Sequence, residues 1–372
     1  MALAEEIVAY ALDLGFDQVG FTSAAPFDQL ARALEERSAS YNWISEGLLQ
    51  LRRAVDPRLV FPSARSLIVL GYDYFKQSFP DALQGKIGKA YQARLYTDRR
   101  RIFGSRLRLF KEFLKEKGMQ VGTSPAFADR QAAVRAGLGA FGRNTFVYAP
   151  GCGSYLSIIT LAVSAELEEE ARGPAPQCLP DCRRCIDACP TGALYEPYKM
   201  DPLRCIAFNT FAPGNFPGAP EDIPYAVREK MGSWIYGCDI CQDACPRNQK
   251  KLKSKLPPDA YLHRVAAAIT LPQLLHMDDR YYLAKVQPLL YGYIWEKKFI
   301  QRNAAIALGN SGDSAALPHL ERAMEDPAEM VRAYAAWALG RLGGPRARRA
   351  LERALRRENV SAVKKEIVAA LA

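Results

Sequence analysis

The placement of the cysteines constrains this chain more than any other feature of its sequence. Eight of the nine cysteines lie between residues 178 and 245 of the 372-residue chain. Two short runs contain seven of them, and a proline follows the last cysteine of each run: Cys178, Cys182, Cys185 and Cys189, then Cys238, Cys241 and Cys245. Cys205 lies between the runs, and Cys152 lies before them. So many thiols in one stretch predict metal centres or disulfides.

The spacing of the runs is close to the C-x₂-C-x₂-C-x₃-C-P pattern of bacterial ferredoxins, in which the fourth cysteine ligates the other cluster. Three thiolates on one loop can hold three corners of a [4Fe–4S] cube. The next cysteine, about one helical turn further, then faces a second cube. We assign the first cluster to Cys178, Cys182, Cys185 and Cys245, and the second to Cys189, Cys205, Cys238 and Cys241.

Zinc and disulfides are the alternatives to iron–sulfur clusters. Zinc prefers paired C-x₂-C knuckles and does not require a proline after the last cysteine. Disulfides need an oxidising compartment, which a protein usually reaches by means of a signal peptide. The N-terminus has no basic segment of the kind that begins a signal peptide, so the sequence does not favour disulfides. Three residues separate Cys178 from Cys182 instead of the usual two, so we expect this loop to bulge. Cys152 is left over, and we expect it to be buried.

Length and composition set broad limits on the class of protein. The chain is long enough for two or three domains, and 49% hydrophobic with 24% charged residues is typical of soluble globular proteins. No apolar run is long enough to cross a bilayer, so we expect a cytoplasmic protein. The net charge of +10 favours a polyanionic partner such as nucleic acid.

The sequence predicts a multidomain α+β protein. Residues 1–165 alternate helical and strand patterns, which indicates an α/β domain whose central strand follows Ser66. Residues 166–255 form the ferredoxin-like cluster domain. Residues 91–118 read as one long basic helix. The glycines at 137, 139 and 142 suggest backbone packed against something large and flat; we reject a nucleotide-binding turn because no strand leads into it.

Residues 256–372 carry an internal repeat. The segment beginning at Ile300 matches those beginning at Val331 and Val363, at offsets of 31 and then 32 residues. Alanine and leucine at helical spacing, with a glycine expected to end each helix, predict HEAT-like helical hairpins. Seven arginines against one glutamate in residues 341–357 give this solenoid a basic surface. The solenoid either holds a partner or caps the cluster domain.

Several segments together resemble the epoxyqueuosine reductases, which are cobalamin- and iron–sulfur-dependent enzymes that complete queuosine in the tRNA anticodon. The similar segments are residues 14–20, 66–74, 135–145 and 235–242, together with the HEAT-like tail. The resemblance implies a base-off cobalamin between the first domain and the cluster domain, a core shared with reductive dehalogenases. It also implies a tRNA anticodon stem-loop as partner, a flavodoxin- or ferredoxin-type electron donor, and a monomer.

The same resemblance implies where cobalamin contacts the chain. Its contacts fall on the glycine-rich turn, on the turn after Cys152 and on the segment before Cys238. The implied residues are Arg135, Gly139, Gly142, Arg143, Asn144, Gly153, Ser154, Tyr236, Gly237 and Asp239.

Three departures from the family concern the substrate side. The family's proton-donating aspartate is missing, because Gly122 or Thr123 occupies its position. The family's pattern in residues 91–101 is absent, and the segment after Cys205 is longer and lacks a glutamate. The replacement proton donors that we consider are Asp98, Asp129, Tyr96 and Tyr91. Asp129 could equally form an ion pair with the neighbouring Arg130.

We therefore favour an enzyme of the epoxyqueuosine reductase type. One alternative is a related cobalamin-dependent reductase that cleaves a C–X bond in a small molecule, as dehalogenases do. Another is an electron-transfer protein that reduces the corrinoid of a partner and has no substrate of its own.

Overall fold

The computed structural model describes residues 3–39, 41, 51–93, 102–167, 178–290 and 294–372. In the first part of the chain the helices and strands, in order, are α1 (Leu3–Asp13), β1 (Gln18–Ser23), α2 (Asp28–Glu36), α3 (Leu51–Ala54), α4 (Pro57–Val60), β2 (Ser66–Asp73), α5 (Ile102–Glu116), β3 (Val121–Gly122), α6 (Asp129–Arg135), β4 (Ala140–Phe141), β5 (Val147–Tyr148) and β6 (Leu156–Val163). Short 3₁₀ turns occupy Asp81–Leu83 and Lys89–Ala93.

The cysteine-rich part and the C-terminal part are mostly helical. The elements between Cys178 and Leu252 are α7 (Arg184–Asp187), β7 (Leu194–Glu196), β8 (Lys199–Met200), α8 (Ile206–Asn209), α9 (Tyr225–Arg228), α10 (Ile240–Asp243) and α11 (Gln249–Leu252). Those that follow are α12 (Ala260–Ala266), α13 (Leu271–Leu275), α14 (Asp279–Tyr281), α15 (Lys298–Asn310), α16 (Leu317–Ala323), α17 (Glu329–Leu342), α18 (Gly344–Arg357) and α19 (Ser361–Leu371). No helix of the described residues is long and apolar enough to cross a membrane.

A four-stranded sheet in the order β1-β2-β6-β3 forms the centre of the first part, and β2 is an interior strand, as predicted. Ile68 and Leu70 pack under α1 and α5, whereas Leu67 and Val69 pack under α6. Because successive side chains of a strand point to opposite faces, a strand covered on both faces is apolar throughout. The strands pair antiparallel rather than parallel, so helices and strands alternate without βαβ crossovers.

Two predicted helices have different bounds in the structure. The predicted helix over residues 91–118 begins at Ile102, and residues 94–101 lie outside the described part of the chain. The helix predicted over residues 27–46 corresponds to α2, which ends at Glu36. Residues 40 and 42–50 also lie outside the described part of the chain.

The repeats form the predicted solenoid of helical hairpins. Helices α15, α17 and α19 begin at the predicted spacing and pack side by side, and α16 and α18 cover them. Their alanine-rich faces are buried, because small side chains let helix axes approach closely.

The repeat glycines do not end their helices, so that prediction was wrong. Gly309 and Gly340 both lie inside the last turn of their helix. A Cβ at Gly309 would lie 2.8 Å from Cα and Cβ of Ala338, and one at Gly340 would lie 2.7 Å from Cβ of Ala370. These glycines therefore permit the close approach of neighbouring repeats.

We expect Gly309→Ala to destabilise the solenoid by about 1–3 kcal/mol, because overpacking outweighs the gain of about 1 kcal/mol in helix propensity. Urea unfolding followed by circular dichroism measures the change. The double variant Gly309→Ala/Ala338→Gly should recover only part of the loss, since it removes Cβ of Ala338 but leaves its Cα 2.8 Å from the new side chain. If the losses in free energy of unfolding of Gly309→Ala and Ala338→Gly simply add in the double variant, this packing role is contradicted.

Candidate functional site

The two cysteine runs are arranged around two short helices that lie in contact. Cys178 and Cys182 precede α7, Cys185 lies on it, and Cys238 and Cys245 flank α10. In the loop between Cys178 and Cys182, Asp181 adopts φ +55°. Aspartate tolerates this left-handed conformation better than most residues, and the conformation accommodates the extra residue of the loop.

The structure brings the thiols near one another in two groups, although no three of the described His, Cys, Asp or Glu side chains are arranged closely enough to hold a metal ion. Burial, together with the smaller effect of the neighbouring thiols of Cys245, Cys178 and Cys182, raises the pKa of the Cys185 thiol to about 11. Because thiolates confined this closely repel one another, they can all ionise only opposite bound cations.

The thiols of the second group affect one another in the same way. Burial raises the pKa of Cys238, and the thiols of Cys205 and Cys189 add to the effect. Burial likewise raises the pKa of Cys241, whose neighbours include Cys238, Cys205, Cys185 and Cys189. The two groups therefore meet at Cys241, and the loop of residues 179–184 in the first group is largely exposed.

Backbone N–H groups are directed at several of these sulfurs. The N–H groups of Phe208 and Ala207, in the first turn after Cys205, lower the pKa of that thiol against the larger effect of burial. The N–H of Ile240 acts in the same way on Cys238, and the N–H of Arg143 donates to Sγ of Cys178 at 3.4 Å. Such hydrogen bonds are among the factors that set the reduction potential of a bound cluster.

The glycine-rich turn packs around Tyr148, which is the large flat group that the sequence suggested. A Cβ at Gly142 would overlap the Tyr148 ring, and one at Gly139 would overlap its carbonyl group. Nδ2 of Asn144 donates to the Tyr148 hydroxyl at 3.1 Å and to the carbonyl of Cys241 at 3.4 Å. The turn thus joins the sheet domain to the cysteine region.

Arg135 serves the sheet domain itself. Its guanidinium donates to Oγ1 of Thr22 at 3.0 Å and to the carbonyl of Ser23 at 2.6 Å, and lies 3.9 Å from the centre of the Phe27 ring. It therefore fixes the loop between β1 and α2.

The turn after Cys152 packs on α10 and α11. A Cβ at Gly153 would overlap Oδ1 of Asn248, which accepts from the N–H of Ser154 at 3.1 Å. Oγ of Ser154 donates to Oε1 of Gln242 at 2.9 Å. Cys152 itself is buried, as expected.

An ion-pair cluster connects the second cysteine run to the 3₁₀ turn at Lys89–Ala93. Nζ of Lys89 lies 3.4 Å from Oδ2 of Asp239 and 2.8 Å from Oδ2 of Asp243. Burial raises the pKa of Asp239 to about 6, and the charge of Lys89 opposes that rise. The Tyr155 hydroxyl donates to Asp243 at 3.0 Å.

The remaining implied cofactor contacts are also in this junction. Tyr236 lies against Tyr91 with ring centres 5.0 Å apart, and the N–H of Gly237 donates to Oγ1 of Thr210 at 3.0 Å. Nη1 of Arg143 donates to the carbonyl of Cys182 at 2.9 Å.

All ten residues that the resemblance assigned to cobalamin therefore contact other parts of the protein. Most of them join the sheet domain to the cysteine region. Within the described part of the chain they do not outline a cradle for a corrin. We accordingly derive no chemical step through cobalamin.

The structure describes only some of the candidate proton donors. Asp98 and Tyr96 lie outside the described residues. Oδ1 of Asp129 accepts from the N–H of Thr160 at 3.1 Å. Burial raises the pKa of Asp129 to about 7, and hydrogen bonds from Thr160 and the charge of Arg130 oppose the rise. Asp129 can thus carry a proton near neutral pH.

Of the two residues that can occupy the position of the missing family aspartate, Gly122 has no room for a side chain. A Cβ at Gly122 would lie 2.6 Å from the Phe61 ring. Thr123 is exposed, and its Oγ1 accepts from Nζ of Lys111 at 3.2 Å. Neither residue supplies a carboxyl group.

Sequence reasoning missed several residues that hold this site together. Asp243 and Gln242 lie inside the second cysteine run, so their position alone could have identified them. Asn248 likewise lies three residues after Cys245, whereas Lys89 and Tyr148 gave no comparable signal, since only folding brings them to the cysteines.

Two family descriptions match parts of this chain. A model described as "4Fe-4S double cluster binding domain" matches residues 177–248. A model described as "HEAT repeats" matches residues 296–372. These matches confirm a double-cluster domain followed by helical repeats.

Relatives of similar length are enzymes of one kind. The chain is 33% identical to the epoxyqueuosine reductase of Bacillus subtilis, over 98% of this chain and 94% of the relative. The corresponding enzyme of Staphylococcus aureus is 33% identical over 93% of this chain and 90% of its own length.

Solved structures give the same result. A structure of the Bacillus subtilis enzyme, with its catalytic aspartate loop swung out of the active site, matches with a TM-score of 0.83 and 32% identity over 99% of this chain and 98% of that chain. An epoxyqueuosine reductase solved with an epoxyqueuosine-modified stem loop of a tyrosine tRNA matches with a TM-score of 0.83 and 31% identity, at the same coverage.

We expect Asp129 to make stability depend on pH. Its pKa of about 7 in the folded protein exceeds the value of about 3.9 for a free side chain, so its stabilising contribution is complete below about pH 4 and is lost as the pH rises through about 7. The melting temperature of the wild type should therefore fall between about pH 5 and pH 8, relative to that of Asp129→Asn.

Anaerobic melting curves at several pH values measure this difference. Glu116→Gln, on the exposed side of α5, is the matched control and should follow the wild type. Parallel curves for the wild type and Asp129→Asn would contradict a raised pKa at Asp129.

Proposed function

Since the chain belongs to the epoxyqueuosine reductase family, we propose that this oxidoreductase reduces epoxyqueuosine to queuosine in tRNA. The observation that carries the proposal is the match over nearly the whole chain, in sequence and structure, to reductases of this one kind. Removing an epoxide oxygen as water takes two electrons and two protons, so the protein has to supply both. The activity, the location in the cytoplasm and the monomeric state stay predictions.

We propose that the two groups of thiols bind the two clusters as assigned from the sequence. Mutual proximity within each group and the N–H donors directed at Cys178, Cys205 and Cys238 support this ligation. Bound [4Fe–4S] clusters would supply electrons one at a time at low potential. The division into units 1–165, 166–255 and 256–372 likewise stays a prediction.

We propose that helix α18 contacts the phosphates of the tRNA. Arg346 and Arg348 on this helix form ion pairs with Glu321 and Glu352. Four further arginines of α18 are exposed and form no ion pair with any described residue: Arg349, Arg353, Arg356 and Arg357. Unneutralised arginines on one helix suit the closely spaced phosphates of RNA.

We propose that an acidic electron donor, of the flavodoxin or ferredoxin type, docks beside Cys245. The thirteen residues after Cys245 contain Arg247, Lys250, Lys251, Lys253 and Lys255 and no acidic residue. Lys250, Lys253 and Lys255 are exposed, and the guanidinium of Arg247 lies 6.0 Å from the centre of the Tyr148 ring. Complementary charge at this surface would steer the donor to the first group of thiols.

Asp129 is our candidate for the protonating residue among the described donors, because it can hold a proton near neutral pH. The family resemblance implies base-off cobalamin as a cofactor, and a binding titration tests that proposal. Asp98, Tyr96 and Tyr91 stay predicted donors.

The Phe61 ring beside Gly122 favours a second candidate function, because it leaves no room for the family's aspartate at that residue. A family member without the aspartate could reduce a small molecule by C–X cleavage instead of the tRNA base. The deciding experiment is anaerobic reconstitution with iron, sulfide and cobalamin, then a reduced assay on an anticodon stem-loop that contains epoxyqueuosine. Formation of queuosine supports the first proposal; bound cobalamin with no turnover rejects it and favours the second. Reconstituted protein that binds no cobalamin would indicate an electron carrier.

We expect reconstituted wild-type protein to bind about eight iron atoms per chain, as two four-iron clusters require. Cys185→Ser should lose about half of this iron, since one cluster loses a ligand. Cys152→Ser, which changes a buried cysteine outside both groups, is the control and should keep the full amount. Iron and sulfide analysis with absorption spectra measures the result. Equal iron in both variants would reject the assignment.

We expect replacement of Arg349, Arg353 and Arg356 by glutamine to weaken binding of the stem-loop. The plot of log affinity against log salt concentration should become shallower by about 2–3, which corresponds to about three lost phosphate contacts. Arg346→Gln/Arg348→Gln, on the same helix but ion-paired, should change the slope less. A slope that is unchanged in the triple variant would place the RNA elsewhere.

A further inference from the structure

Helix α15 of the first repeat carries two polar side chains that are completely buried. Arg302 and Asn303 both have no exposed surface, whereas the residues after them are alanine, isoleucine and leucine of the solenoid core. A buried guanidinium or amide is costly unless it is fully hydrogen-bonded. Packing of the repeats alone does not require either residue.

The guanidinium of Arg302 binds the segment that follows Cys205. Nη1 donates to the carbonyl of Pro213 at 2.7 Å, and Nη2 lies 3.3 Å from the carbonyl oxygen of Asn209. Nε donates to Oδ1 of Asn303 at 3.1 Å. Burial lowers the pKa of Arg302 to about 10, so the side chain is still charged at neutral pH.

The amide of Asn303 connects two separate stretches of chain. Nδ2 donates to the carbonyl of Thr210 and to the carbonyl of Ile235, both at 2.7 Å. Its Oδ1 accepts from Nε of Arg302. Both N–H donors and the oxygen acceptor of the amide are therefore hydrogen-bonded. The orientation of the amide is therefore fixed.

Both stretches lead directly to cysteines of the second group. Asn209, next to Thr210, donates through Nδ2 to the carbonyl of Cys205 at 2.9 Å. Oγ1 of Thr210 accepts from the N–H of Gly237, the residue before Cys238. Asn303 thus holds the segment after Cys205 and the segment before Cys238 at a fixed separation.

We propose that Arg302 and Asn303 are positioning residues for the second cluster, so that the first HEAT-like helix is part of the redox centre. This inference rests on the proposed ligation by Cys189, Cys205, Cys238 and Cys241. The hydrogen bonds fix the segments that carry two of these four ligands, Cys205 and Cys238, relative to each other. The first cluster has no contact of this kind with α15 among the described residues.

The test compares two buried polar positions on the same helix in the reconstituted full-length protein. Asn303→Leu removes both donors at nearly constant volume. Gln301→Leu is the matched control, because Nε2 of Gln301 donates to the carbonyl of Leu275 on α13, at 2.8 Å, and not to a cysteine segment. An iron chelator is added anaerobically, and the release of iron is followed over time.

We expect half of the iron of Asn303→Leu to be released at least about tenfold faster than in the wild type, because two buried carbonyls lose their donors. The other half should be released at the wild-type rate. One of the two reduction potentials should also shift in a spectroelectrochemical titration. Gln301→Leu should lower the melting temperature and change neither the rates nor the potentials.

Asn303→Asp covers the case in which the leucine variant does not fold. It keeps the volume and an acceptor for Arg302 but loses both donors, so it should show the same fast half. Equal acceleration in Asn303 and Gln301 variants, or no acceleration in either, would overturn the positioning role. A wild-type protein with fewer than two clusters would instead reject the ligation, and the iron count reports that separately.

Discussion

Eight buried or half-buried thiols around two short helices are the constraint on which the rest of this structure depends. Thiolates that are removed from water and crowded together repel one another, so they require bound cations and surrounding N–H donors. The residues nearest the cysteines meet the second need: the first turn after Cys205 and the backbone at Arg143 direct N–H groups at sulfur. The first turns of α8 and α10 provide such N–H groups to Cys205 and Cys238.

The junction between the sheet domain and the cysteine region is polar but well satisfied. Lys89 with Asp239 and Asp243, and Ser154 with Gln242 and Asn248, bury charge and amide groups in pairs. Buried polar networks of this kind specify one geometry, because a shifted arrangement would leave groups unpaired. A site that passes electrons between units benefits from a fixed geometry.

The two sides of the helical repeats differ in this arrangement. One side presents the unpaired arginines of α18 to solvent, which suits RNA. The other side is bound to the cysteine region through Arg302 and Asn303, and Arg228 adds a buried ion pair to Glu366 at 3.0 Å. The two expectations for the solenoid, partner binding and capping, therefore concern opposite surfaces of one structure.

The sequence by itself determined the features that depend on local spacing: the cysteine groups, the buried strand β2, and the repeat period of α15, α17 and α19. It also placed a large flat group beside Gly139 and Gly142. It could not identify that group as Tyr148, nor bring Lys89 and Asn303 to the cysteines. Only the tertiary structure decided those contacts, because they join residues far apart in the chain, and no periodicity or spacing records which distant groups will meet.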